Sequence, residues 1–134
     1  MIYGIGIDLV EVVRFRDSYG RFGERLAQRI LGEAELDEFR LARQPVRFLA
    51  MRFAAKEACS KALGTGFRDG VSPRRIRVQH DHRGKPSLSF APALDARLAA
   101  HGISTSHVSM ADEREYAVAV VVLETSTGNT GPLL

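Results

Sequence analysis

Between Pro45 and Gly64 the chain runs from Val46 to Leu63 without a glycine or a proline, and this stretch most constrains what the chain can become. It predicts a helix over about Val46 to Leu63, bounded by Pro45 before it and by Gly64-Thr65-Gly66 after it. On a helical wheel Phe48, Met51, Ala55, Ala58, Cys59 and Ala62 form one apolar face. Glu57 and Lys61 fall together on the opposite side, flanked by Ala50, Phe53 and Ala54. A carboxylate and an ammonium thus sit one turn apart, among apolar neighbours, just before an amide-rich loop.

A second unusual segment opens the chain. Gly4-Ile5-Gly6-Ile7-Asp8 lies in an alternating stretch, residues 2–10, that predicts a strand. Ile5, Ile7 and Leu9 share one face, and Gly4, Gly6, Asp8 and Val10 share the other. Two glycines on the Asp8 face leave room for another backbone or a ligand. Residues 11–44 read as helical in at least two pieces, with Gly20, Gly23 and Gly32 as interruptions. After a loop to Ser72, strands over 75–79 and 87–90 form a hairpin around Asp81-His82-Arg83-Gly84-Lys85. Pro92 to His101 is a short helix capped by Gly102. Strands over 106–110 and 116–123 form a second hairpin around Asp112-Glu113-Arg114. The run Ala117 to Leu123 is apolar on both faces, more than a small domain covers alone, and points to a subunit interface. Residues 1–124 are expected to form one domain, with 125–134 a flexible tail rich in Thr, Ser and Gly.

Composition narrows the classes. A chain of 134 residues, 45% hydrophobic and 26% charged, is globular and of single-domain size. No apolar run reaches the roughly 18 residues of a membrane span, and the start has no basic signal region. Cys59 is the only cysteine, so no intrachain disulfide forms, which fits a cytoplasmic protein. Its alanine neighbours make it a small apolar side chain rather than a reactive thiol. The net charge is +3, and every basic residue except Lys56, Lys61 and Lys85 is arginine. Arginine suits bidentate contact with phosphate and carboxylate, although a GC-rich genome also favours it. Arg14, Arg21 and Arg25 share a face if their helix is continuous, with Ser18 and Phe22 nearby. Such a face suits an acidic helical partner or nucleic acid. With 7% aromatics and no Trp, the stacking platforms of single-strand binders are missing.

Asp8 and Glu57 are candidates for a hard divalent cation. Magnesium is held by one or two carboxylates, waters and substrate phosphates. Lys61 would reach the same phosphates, and the Gly64-Thr65-Gly66 loop would add N–H donors and a hydroxyl. The simpler alternative for Glu57 and Lys61 is an i,i+4 ion pair worth about 0.2–0.5 kcal/mol. For Asp8 it is a strand-end or helix N-cap residue. There is no Walker loop. His80, His82, His101, His107 and Cys59 have no zinc-ligand spacing, and Ser109 lacks a Gly-x-Ser-x-Gly setting.

Taken together, Gly4-Ile5-Gly6-Ile7-Asp8-Leu9-Val10-Glu11 and Arg52-Phe53-Ala54-Ala55-Lys56-Glu57-Ala58-Cys59-Ser60-Lys61-Ala62 resemble the holo-acyl-carrier-protein synthases. These are the small 4′-phosphopantetheinyl transferases of bacterial fatty acid synthesis. The similarity continues through Gly64-Thr65-Gly66, Gly84-Lys85-Pro86 and His107-Val108-Ser109 to Tyr116-Ala117. The resemblance implies an α+β fold, mainly antiparallel sheet with a long central helix, in a homotrimer with active sites between subunits. It implies Mg²⁺-dependent transfer of phosphopantetheine from coenzyme A to a serine of an apo acyl carrier protein, releasing adenosine 3′,5′-bisphosphate. Asp8 and Glu57 match metal ligands. Lys61 matches the position that contacts the pyrophosphate and helps the leaving group; beyond the resemblance, with no histidine placed by the sequence, Glu57 is the candidate to take the serine proton through a metal-bound water. Arg52, Lys61, Gly64, Thr65, Gly66 and Pro86 match coenzyme A contacts. Arg14 and Arg21 match the basic helix that receives the acidic carrier protein, and Arg25, on the same face by spacing, is a further candidate to contact it. No nucleic-acid or membrane partner is implied. Ser109-Met110-Ala111-Asp112 departs from the Ser-x-Ser/Thr-His of many members, with Asp112 in the histidine's place, so that histidine's role is not transferred. The competing readings are a non-catalytic basic module for nucleic acid or an acidic protein, and a trimeric scaffold.

Overall fold

Gly4 and Gly6 decide how the two principal pieces meet. In the computed structural model, which describes residues 1–126, strand β1 (Ile2–Glu11) packs its glycine face on helix α4 (Pro45–Leu63). A Cβ on Gly4 would stand 1.9 Å from the carbonyl oxygen of Ala62, and one on Gly6 1.8 Å from that of Ala58. The room left by the glycines is therefore filled by helix backbone. The usual strand rule is inverted: Ile5, Ile7 and Leu9 stay 59%, 62% and 62% exposed, while Asp8 lies on the inward face.

The sheet runs β1-β5-β4, all antiparallel, with β5 (Tyr116–Thr125) between β1 and β4 (Ile103–Asp112). Ala117, Ala119, Val121 and Leu123 of β5 are buried on the inner face, and Val118, Val120 and Val122 are half-buried on the outer one. Helix α4 is buried on nearly every side, through Leu49, Ala50, Ala54, Ala55, Ala58, Cys59 and Ala62. Burial pushes the Cys59 thiol up to about 12, in keeping with an apolar role. On the side away from β1 and β5, Ile76 and Val78 of β2 (Ile76–His80), paired with β3 (Pro86–Phe90), join the same core as α5 (Pro92–Ala100).

Helices α1 (Val12–Phe22), α2 (Glu24–Ile30) and α3 (Glu33–Arg40) close a second cluster of Ala27, Ile30, Leu31, Leu36 and Phe39 on Leu49. Gly23, at φ 57°, breaks α1 from α2, and Gly32 precedes α3. Gly20 does not interrupt; it lies inside α1. Arg14 and Arg21 therefore belong to one helix and Arg25 to the next. Strand β4 begins at Ile103, three residues before the expected start. Strand β5 continues through Glu124 to Thr125, whose N–H donates to the Met1 carbonyl at 2.7 Å. Thr125 thus belongs to the sheet rather than to the expected tail, and 127–134 lie outside the described residues.

Candidate active site

The phase of β1 and the spacing of α4 bring three predicted residues together. Asp8 Oδ1 accepts a hydrogen bond from Lys61 Nζ at 2.8 Å, and the same ammonium donates to the Ile7 carbonyl at 3.1 Å. The bond to Asp8 raises the Lys61 pKa. The Glu57 carboxyl is also raised, first by burial and then by the charge of Asp8. Glu57 and Asp8 are thus near enough to repel. Lys61 forms its ion pair with Asp8 across the strand–helix contact, and no Glu57–Lys61 pair occurs among the described residues. The simple i,i+4 pair is therefore not what holds Lys61. Nor is Asp8 a helix cap, since Glu11 occupies that position before α1.

This donor set has a definite chemistry. Among the described residues no group of three or more His, Cys, Asp or Glu converges as a metal cage. Two mutually repelling carboxylates with no imidazole or thiolate suit a hard oxygen-seeking cation that keeps water or substrate oxygens as its other ligands. A cation there would relieve the repulsion that now raises Glu57.

The loop after α4 behaves differently from the expectation. The N–H of Gly64 donates to Lys61, and those of Thr65 and Gly66 donate to Ser60, at 3.0–3.2 Å. Thr65 is buried and its hydroxyl donates to the Gly66 carbonyl at 2.7 Å. Gly64 (φ 81°) and Gly66 (φ 63°) supply the left-handed turns this needs. The expected amide cradle for phosphate is instead the cap of α4, because the last carbonyls of a helix require donors of their own.

Arg52 lies five positions before Glu57, rotated about 140° around the helix, and does not join the Asp8 cluster. Its guanidinium is buried against Glu35 (3.2 Å), Glu38 (2.9 Å) and the Val78 carbonyl (3.1 Å), and lies 4.4 Å from the centre of the Phe48 ring. It still borders a cavity of about 360 Å³ with Arg43, Arg47, His80 and Asp112. Pro86 faces His80 in the β2–β3 ladder. Burial, then Arg52, lowers the His80 pKa. Asp112 is the anchor of Arg47, paired at 2.5 Å, and ties the β4–β5 turn to α4.

Sequence reasoning missed the charged centre beneath Arg52. Lys56 is fully buried, and its ammonium donates to Glu35 (2.6 Å), the Ile30 carbonyl (2.7 Å) and the Pro73 carbonyl (2.9 Å). Glu35 also accepts from the N–H groups of Gly32 and Val78. The readable signal was Gly32 followed three residues later by Glu35, the pattern in which a side chain reaches back to cap its helix.

Of the arginines expected on one basic face, Arg14 and Arg25 share cavity walls with Leu26. Arg14 lines a cavity with Phe15, Leu26, Arg29 and Phe53, and Arg25 lines another with Phe22, Leu26 and Arg29. Arg21 lies with its guanidinium 5.2 Å from the centre of the Phe22 ring. His107 bonds Glu124 at 2.8 Å, away from these sites.

Comparison with known proteins places this geometry. The family model of the 4′-phosphopantetheinyl transferase superfamily matches residues 4–121. The holo-[acyl-carrier-protein] synthase of Halorhodospira halophila is 57% identical over 125 residues, covering 93% of this chain and 99% of the relative. That of Laribacter hongkongensis is 52% identical over 124 residues, covering 92% and 99%. The crystal structure of the Neisseria meningitidis holo-[acyl-carrier-protein] synthase superposes with a TM-score of 0.90 at 49% identity, covering 93% of this chain and all of the other. That of Bacillus anthracis, solved in complex with CoA (3′,5′-ADP), superposes at 0.78 with 41% identity, covering 94% and 99%. With the strand carboxylate, the helix carboxylate and the lysine between them in place, the chain belongs to the 4′-phosphopantetheinyl transferase superfamily.

Proposed function

We propose that this protein transfers the 4′-phosphopantetheine group of coenzyme A to a serine of an apo acyl carrier protein, releasing adenosine 3′,5′-bisphosphate, in fatty acid synthesis in the cytoplasm. The observation that carries the reading is the meeting of Asp8, Glu57 and Lys61 at the β1–α4 contact. Relatives named for this activity, two of them solved in complex with coenzyme A, support it.

Asp8 and Glu57 would hold Mg²⁺, which when bound polarises the pyrophosphate and neutralises charge on its oxygens. Of the three Lys61 donors, two are engaged by Asp8 and Ile7, which leaves one for a phosphate oxygen of the substrate. In the transfer the serine Oγ bonds to the β-phosphorus of coenzyme A, and the bond from that phosphorus to the oxygen of the adenosine-bearing phosphate breaks. Lys61 stabilises the negative charge left on the departing phosphate. Glu57, whose raised pKa suits a proton acceptor, takes the serine proton through a water.

The anionic end of coenzyme A fits the Arg43, Arg47 and Arg52 cavity, with Pro86 beside it. Within it, Arg52 lies on the opposite side of α4 from Lys61, nine residues and half a rotation away. One substrate reaching both groups bridges two copies of the chain, which supports a homotrimer with sites between subunits. The exposed row Ile5, Ile7 and Leu9 gives the copies an apolar face on which to pack. Arg14 and Arg25, beside the apolar side chains of Phe15, Phe22 and Leu26, with Arg21 against Phe22, suit an acidic carrier helix with an apolar contact.

The test is direct. The protein, coenzyme A, Mg²⁺ and an apo acyl carrier protein are mixed and the carrier is weighed by mass spectrometry. The expected outcome is a carrier heavier by one phosphopantetheine, and only when the divalent cation is present. An unmodified carrier after prolonged incubation with several acyl carrier proteins overturns the reading.

A further inference from the structure

Among the described residues, three guanidiniums outside the Asp8, Glu57 and Lys61 cluster form no ion pair. Arg74, Arg75 and Arg77 line an open cavity of about 540 Å³ with Gly32, Glu33, Ala34 and Ser72. All three are exposed. The ion pairs of the described residues involve Arg40, Arg47, Arg52, Lys56, Lys61 and His107, and none of these three. Two are nevertheless held in place: Arg74 donates to the Leu31 carbonyl at 3.2 Å and Arg75 to the Gly70 carbonyl at 2.9 Å. The sole carboxylate on the cavity wall is Glu33, so a net excess of positive charge faces one concave surface. Arginines tethered through one nitrogen keep others free in a fixed fork, which suits carboxylates.

The position of the cluster suggests its occupant. Pro73, the residue before Arg74, lines the same cavity as Arg14, Phe15 and Arg29. The basic surface of α1 and α2 therefore continues across Pro73 into the Arg74 cluster. A protein partner of ordinary footprint covers about 800 Å² of its host, more than a few arginines of one helix face provide.

We propose that Arg74, Arg75 and Arg77 form a second docking patch that takes a carboxylate-bearing segment of the acidic carrier protein, beside the α1–α2 surface. This rests on the transferase reading above. None of Asp8, Glu57 and Lys61 lines this cavity, so the patch acts on encounter and affinity, not on the bond-breaking step.

The experiment compares the intact protein with R74E/R77E in steady-state transfer assays, varying carrier protein and coenzyme A separately at several salt concentrations. The expected result is a KM for the carrier raised about tenfold at low ionic strength, a gap that narrows as salt rises, with kcat and the KM for coenzyme A unchanged. Because Arg74 also anchors Leu31, the single variant R77E, at a side chain with no hydrogen bond or ion pair among the described residues, is measured alongside and should show a smaller effect in the same direction. An unchanged carrier KM in R77E and in a folded R74E/R77E overturns the proposal. So does a raised KM for coenzyme A, which would assign the cavity to the nucleotide. If the unaltered protein transfers nothing, the transferase reading itself fails; if it transfers and only the variants behave normally, the second patch alone fails.

Discussion

At the scale of single residues, the candidate site is a balance among three charges. Asp8 and Glu57 repel, and Lys61 offsets that repulsion through its bond to Asp8. Burial is the larger cause of the raised Glu57 pKa and the Asp8 charge the second. Asp8→Asn removes the second cause while keeping shape and burial. The Glu57 pKa should therefore fall toward the ordinary glutamate value without reaching it, read by carbon NMR of the labelled carboxyl in the metal-free protein. The same variant should lose transfer by about 10²–10³-fold, the usual cost of removing one group that stabilises developing charge. A Glu57 pKa unmoved by Asp8→Asn would mean the two carboxylates do not share a site. The sequence singled these three out by the glycines flanking Asp8 and the i,i+4 spacing of Glu57 and Lys61, but strand alternation did not say that the Asp8 face turns toward α4. Arg52 was less legible. Its buried partners Glu35 and Glu38 lie on a different helix, and no local period reports that α3 folds back over α4.

Among the elements, α4 carries the largest internal electrostatic load. Its Lys56 is pulled by burial from an ordinary 10.5 down to about 8, although Glu35 opposes the shift. Between those two values the unfolded chain binds more protons than the folded one, so stability rises with pH. Cys59, one turn along, works the other way. Its thiol is raised from 9.0 to about 12, so above 9 the unfolded chain has shed a proton that the folded chain keeps, and stability falls with pH. Each group contributes a slope approaching about 1.4 kcal/mol per pH unit within its own window. Denaturant titrations should therefore show stability increasing from pH 8 to 9 and then levelling. In Cys59→Ala the increase should continue toward pH 10.5. A decline from pH 8 to 9 in both proteins would contradict the burial of Lys56 as a destabilised cation. The helix was legible from Pro45, Gly64 and its uninterrupted run. The charges within it were not, because a wheel sorts residues by polarity and α4 is enclosed on nearly every side. The β1–α4 contact was half legible: Gly4 and Gly6 announced a close approach, but not that the approaching group is the backbone of α4 itself.

On the scale of the whole molecule, the sheet has an outer face whose residues are in register. Ile5 pairs with Val122, Ile7 with Val120 and Leu9 with Val118, so six branched apolar side chains form a block two strands wide. The doubly apolar run in β5 leaves Val118, Val120 and Val122 half-buried on the outer face, whereas the outward direction of the β1 isoleucines was not legible, because alternation alone does not say which face turns inward. Each such side chain contributes about 1.5–3 kcal/mol when fully removed from water, enough in sum to hold copies together. The three-copy assembly proposed above uses this face. Ile7→Asp places a carboxylate at its centre without disturbing the core, because that side chain points away from α4. Light scattering should give three chain masses for the unaltered protein and one for Ile7→Asp, with the far-UV spectrum of the two alike. Transfer should disappear together with the assembly, since each chain keeps its Asp8, Glu57 and Lys61 but loses the neighbour that completes the coenzyme A site. Full activity in a monomeric Ile7→Asp would show that one chain is sufficient, and would require Arg52 and Lys61 to serve one substrate from opposite sides of the same helix.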